Sequence, residues 1–162
     1  MTRILRGVLV LGWIPTLAFV AGARGLGLDA SLGAQGRTAV NVTRIYTGAD
    51  GRTKVEELEI PLTPRDRGSE VSGTIALSSL QVRRTTPDYF LDWHTAPRRQ
   101  LVVTLSGESE IELEGGRKLR LGPGHILLAE DTTGQGHISR AVAGKDRIAL
   151  DIVLADGAQL PR

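Results

Sequence analysis

From Val40 to Leu154 the apolar positions recur at a spacing of two, in short runs broken by glycine and proline. Val40, Val42 and Ile45 lie in a first run that stops at Gly48-Ala49-Asp50-Gly51, and Asp-Gly is a strong hairpin signal. Val55, Leu58 and Ile60 mark the return strand, closed by Pro61 and Pro64, and Asp66–Ser69 reads as a polar loop. A strand or strand pair follows over Gly73–Arg84, and Pro87 breaks it before Tyr89. Leu101–Leu105 is a short apolar run of the buried kind. Next, Ile111 and Leu113 alternate with Glu110, Glu112 and Glu114; after the Gly115-Gly116 turn, Leu119 and Leu121 alternate with Lys118 and Arg120. The acids and bases are expected to face water and to pair across the strands. Gly122-Pro123-Gly124 is a further turn, Ile126–Leu128 a short strand, and Ile138–Val142 with Arg147–Leu154 a last hairpin around Gly144. Short strands at this spacing, without an amphipathic helix, predict an all-β sandwich or barrel.

The first 37 residues break the pattern. Met1–Arg6 carries two arginines and no acid, residues 7–23 carry no charge, and Ala21-Gly22-Ala23 places small residues where a signal peptidase reads. This order predicts a cleaved secretory signal over 1–23 and a periplasmic or secreted protein. The alternative is an N-terminal membrane anchor; its apolar run of 17 residues is short for a span and contains Pro15. Residues 24–37 read as a flexible linker, 38–156 as the folded domain and 157–162 as a tail. Loss of 1–23 removes Arg3 and Arg6, so Lys plus Arg falls from 20 to 18, equal to the 18 acids. The mature chain is then neutral, which argues against a nucleic-acid partner. No cysteine is present, so disulfides and thiolate metal sites are excluded.

Candidate chemistry centres on the three histidines. Asp92-Trp93-His94, then Gln100, then Gly107 resembles the first sequence motif of the cupins (H-x-H, a short gap, E, six residues, G), and six residues separate Gln100 from Gly107. Gly134-Gln135-Gly136-His137 resembles the G-x-x-H end of the second motif, with the Gly115-Gly116 hairpin between the two. The resemblance spans about residues 75–155. It departs from the pattern at Asp92 for the first histidine, at Gln100 for the acid, in a five-residue gap after His94, at Glu130 for a common proline and at Ala141 for the closing Asn.

The resemblance implies a single antiparallel β-barrel of the jelly-roll (double-stranded β-helix) type, and a homodimer. It implies a divalent metal (Fe, Mn, Ni or Zn) held by His94 and His137 with Asp92 or Gln100. On an unbroken strand, positions 92 and 94 share a face, so Asp92 and His94 are expected to project into the barrel together. Two histidines and a carboxylate suit an open-sided centre, whereas the Gln100 amide is a weak neutral ligand. His94 and His137 are equally open to a metal-free role, and His125 reads as a turn residue. Arg98 shares parity with Gln100 and is a weak candidate for the substrate pocket, as is Glu130, which with Asp131 precedes Thr132-Thr133-Gly134. Three classes stay open: a metal-dependent enzyme acting on a small polar molecule, a non-catalytic ligand-binding cupin, and a structural cupin whose barrel is filled with side chains.

Overall fold

The computed structural model describes residues 39–142 and 144–162. The expected export signal and linker lie outside the described residues. All regular structure within them is strand: β1 (Ala39–Thr47), β2 (Thr53–Pro61), β3 (Thr63–Asp66), β4 (Ser69–Val71), β5 (Leu77–Thr85), β6 (Phe90–His94), β7 (Gln100–Ser106), β8 (Ser109–Glu112), β9 (Lys118–Leu121), β10 (Ile126–Glu130), β11 (His137–Ala141) and β12 (Arg147–Leu154).

The strands form open sheets, not the closed barrel expected. One sheet has the order β2-β1-β10-β7-β12-β5, a second the order β6-β11-β8-β9, and β3-β4 is a separate small hairpin. Every pairing is antiparallel except β1 with β10, where Thr43–Tyr46 run parallel to Leu127–Glu130. Closure fails where the chain passes between the sheets. β5 ends one sheet and β6 ends the other, and the turn that joins them contains Pro87 and is held by Tyr89 N–H on the Thr86 carbonyl at 3.1 Å. The opposite edges, β2 and β9, are likewise each paired on one side alone.

The two larger sheets face each other across a shared core. Ile45, Leu127 and Ala129 from the six-stranded sheet pack with Ile111 and Leu121 from the four-stranded one, beside Ala96 and Leu113. Alternation explains the choice: on β10, Leu127 and Ala129 point between the sheets, and Leu128 points away. A second cluster covers the outer face of the six-stranded sheet, where Val42, Ile60, Leu101, Leu128 and Leu154 meet Ile75 and the C-terminal Ala158 and Leu160. The segment expected to be a tail thus contributes to packing.

The hairpin around Gly115-Gly116 has the expected register, with Glu110 opposite Arg120 and Glu112 opposite Lys118. The acids are on the outer face but Glu110 is not left to water. β11 adds Arg140 opposite Glu110 on its other side, and the Glu110 side chain keeps only 9% of its exposure. A base on each flanking strand covers the acid between them.

Candidate functional site: a cavity between the sheets

A cavity of about 190 Å³ lies between the two large sheets. His94, Gln100 and His137 line it, together with Arg83, Tyr89 and Arg147. Apolar side chains, among them Val102, Ile111, Leu121 and Leu127, supply much of the remaining wall.

Strand pairing brings the two histidines together. His137 opens β11 directly opposite His94, the last residue of β6. Their ring centroids are 4.4 Å apart and the planes are inclined at 57°. The approach depends on Gly136, whose φ of 75° is left-handed and where a Cβ would overlap the His94 carbonyl.

Both rings are held at Nδ1. His94 Nδ1 lies 2.8 Å from the Asp92 carbonyl; a carbonyl only accepts, so Nδ1–H donates. His137 Nδ1 lies 2.6 Å from Oδ2 of Asp131, a carboxylate with no solvent exposure. Thr53 Oγ1 sits 3.1 Å from the same Oδ2 and 2.9 Å from the Gly136 carbonyl. With Nδ1–H donated, Nε2 of each ring is the nitrogen that keeps a lone pair, the arrangement that orients metal-binding and proton-transferring imidazoles. Burial pushes the His94 imidazole below its ordinary pKa, and the neighbouring His137 adds to the depression against an opposing contribution from the Asp92 carbonyl.

Three of the residues singled out from the sequence do not reach this cavity. Asp92 is exposed, and its Oδ1 accepts the Trp93 N–H at 2.8 Å. The cause is a bulge: Leu91 pairs with Ser139 and His94 with His137, so two residues of β6 stand opposite Ile138 alone. The extra residue inverts the alternation; Leu91 and His94 share the cavity and Asp92 leaves it. Arg98 is exposed in the turn after Pro97, where strand parity does not operate, and borders a surface depression with Arg99 and Asp156. Glu130 follows the inward Ala129 and therefore faces outward, where it pairs with Arg44 and Arg99. His125 is half-buried behind its turn, and burial lowers its pKa.

No protein-family model and no curated protein matches the chain. Among solved structures, it is similar to the conserved protein SPY1581 of unknown function from Streptococcus pyogenes, with 18% identity and a TM-score of 0.36 over 47% of this chain and 64% of that one. It is also similar to protein NMB1881 from Neisseria meningitidis, with 13% identity and a TM-score of 0.37 over 54% of this chain and 90% of that one.

Sequence reasoning passed over Thr53 and Arg147. Asp131, which the sequence offers with Glu130 as a pocket-rim acid or a plain turn residue, is the partner of His137 Nδ1. The signal for Arg147 was its parity: Arg147, Ala149 and Asp151 are buried on one face of β12, while Ile152 and Leu154 pack on the other. The apolar side of that strand invites assignment to the interior between the sheets, and the polar side is the one that lies there.

Proposed function

We propose that this chain is a small exported cupin-like protein of jelly-roll type that binds one small polar molecule between its sheets. The observation that carries the reading is the imidazole pair: His94 and His137, each fixed at Nδ1 by an oxygen, side by side on a cavity otherwise walled largely by apolar groups. A ligand enclosed there would meet the two rings, with Gln100 beside them, as a fixed polar edge that helps to set its orientation. About 190 Å³ is below the ~300–1,000 Å³ of drug-sized sites, which confines the ligand to a small molecule. Thermal unfolding against a panel of small hydroxy acids, keto acids, amides and polyols tests the reading. A ligand specific to the native chain raises the midpoint, and the shift is expected to vanish in His94→Gln and His137→Gln. A shift that persists in both variants would move the binding elsewhere.

A second reading, a divalent metal on the same pair, is favoured by the spacing of the rings. A centroid separation of 4.4 Å suits two imidazoles bound side by side to one ion at ~2.0–2.1 Å. Gln100 would offer an amide oxygen, and Fe, Mn, Ni and Zn all accept imidazole. The donor set is short of a carboxylate: Asp92 points away, and no cluster of three His, Cys, Asp or Glu donors exists among the described residues. An ion so held would retain waters and exchange readily; when bound, it would polarise a ligand oxygen. Elemental analysis of protein purified without chelators is expected to find substoichiometric metal, lost in His94→Ala and in His137→Ala. Full occupancy that survives both changes refutes these ligands.

Export and a homodimer belong to the same proposal. Mass spectrometry of the exported protein is expected to give a chain beginning at Arg24, and a mass that retains Met1 would replace cleavage by anchoring. Sedimentation equilibrium tests the dimer, and a monomer at all concentrations excludes it.

A further inference from the structure

The residues lining the cavity include two arginines and two histidines but no acid. Arg147 is 6% exposed, and its Nε and Nη2 both reach Oγ1 of Thr104, at 3.2 and 2.7 Å. Thr104 is itself 1% exposed. A hydroxyl oxygen is a neutral acceptor; it orients the guanidinium but supplies no counter-charge. The carboxylate that favours the charge on Arg147 is Asp151, and Asp151 is already engaged through Oδ2 by Arg83. Arg83 lines the cavity too and repels Arg147. Burial lowers the Arg147 pKa, with Arg83 adding to the effect against Asp151 and Tyr89. Arg83, a partly exposed cation, thus takes the carboxylate oxygen nearest to hand, and the buried Arg147 is in none of the ion pairs formed by the described residues. A buried charge without a partner is costly, and a bound anion removes the cost.

We propose that the Arg147 end of the cavity is a carboxylate subsite, and that the ligand is a small organic monocarboxylate whose remaining polar group meets His94 and His137. This rests on the cavity being the binding site. The Nη1–Nη2 edge of the guanidinium, which Thr104 does not occupy, matches a carboxylate in two parallel hydrogen bonds. The apolar wall formed by Val102, Leu121 and Leu127 favours an organic anion over inorganic phosphate. At about 30 Å³ per water, the cavity has room for about six waters, hence for an acid of roughly six to nine non-hydrogen atoms.

The test is calorimetric titration of the purified full-length chain at neutral pH with lactate and benzoate, with their neutral matches lactamide and benzamide, and with inorganic phosphate. The acids are expected to bind at least about tenfold tighter than the amides, the difference a charged hydrogen-bonded pair makes. Arg147→Met removes that preference and leaves amide binding in place. Arg147→Lys keeps the charge without the fork and is expected to weaken acid binding by about tenfold without abolishing it, which covers the case in which the methionine variant fails to fold. Thr104→Val, which frees the guanidinium from its anchor, is expected to reduce acid affinity and spare the amides. Equal binding of acids and amides overturns the carboxylate subsite while the cavity reading stands. Phosphate binding in preference to both acids overturns the organic class. Binding of neither acids nor amides overturns this proposal together with the cavity reading on which it rests.

Discussion

A single inversion of side-chain direction separates Ala129, on the inner core, from Glu130, on the outer face between two arginines. Arg44 Nε lies 2.6 Å from Glu130 Oε2, and Arg99 Nε lies 2.9 Å from Oε1. Burial alone would raise the Glu130 pKa; the hydrogen bonds from Arg99 and Arg44 outweigh it, and the carboxyl sits below its usual value of 4.5. The consequence for stability follows in sign. A depressed folded pKa contributes stability that is complete above the unfolded value and is lost as pH falls through the folded one. Glu130→Gln is therefore expected to cost about 1–3 kcal/mol near neutral pH, reduced from the buried-pair figure because both arginines are partly solvated. The gap between variant and wild type should begin to narrow as pH falls past about 4.5, the unfolded value, and close only below the lower, folded one. Denaturant titrations of both proteins at pH 7 and pH 3.5 measure it, and a gap of the same size at the two pH values would assign the cost to packing and not to charge.

At the level of strands, the site is a joint between the last residue of β6 and the first of β11, and Gly136 is what allows them to meet. Gly136→Ala must both hold a left-handed φ and displace the His94 carbonyl. It is expected to cost more than about 2 kcal/mol and to separate the two rings. Gly115→Ala is the control: its φ is 84° but nothing lies within 4 Å of the added methyl, so about 1 kcal/mol is expected. Chemical denaturation with histidine NMR separates the effects, and similar losses in both variants would deny Gly136 its special role. The same joint explains what could be read from the chain. Turn glycines and alternating glutamates announce strands locally, which is why the hairpins at Asp50-Gly51 and Gly115-Gly116 follow the expected pattern. The meeting of His94 with His137 was expected from the resemblance stated for the stretches around them. The bulge that expels Asp92 was not, because an extra residue in a strand leaves no mark in polarity; Asp92-Trp93-His94 alternates as an unbroken strand would. Arg147 was hidden for a different reason. A strand covered on both faces has no solvent side, so the rule that charges point outward loses its premise on β12.

Across the whole molecule, the six-stranded sheet separates two unlike environments. Its inner face holds the histidine cavity, with polar groups among apolar ones; its outer face carries, beside a depression lined by Arg44, Arg99 and Glu130, an apolar cluster partly covered by the last residues of the chain. Those residues do mechanical service on the side opposite the histidines: Ala158 and Leu160 pack over the outer cluster, and the Ala158 carbonyl accepts from Arg99 Nη1 at 2.9 Å. A chain lacking 156–162 should lose about 2–4 kcal/mol, from the uncovering of Leu128, Ile60 and their neighbours and the loss of this hydrogen bond. It should also bind more of a hydrophobic dye than the full chain does. Because no residue beyond Arg147 lines the cavity, ligand affinity measured at a temperature where both forms are folded is expected to be unchanged. Calorimetric titration of the truncated chain decides between two views of the fold. Preserved affinity with reduced stability means that the sheet insulates one face from the other. Affinity that falls together with stability would mean that outer packing sets the position of β7, β10 and β12, and that the site is a property of the entire sandwich.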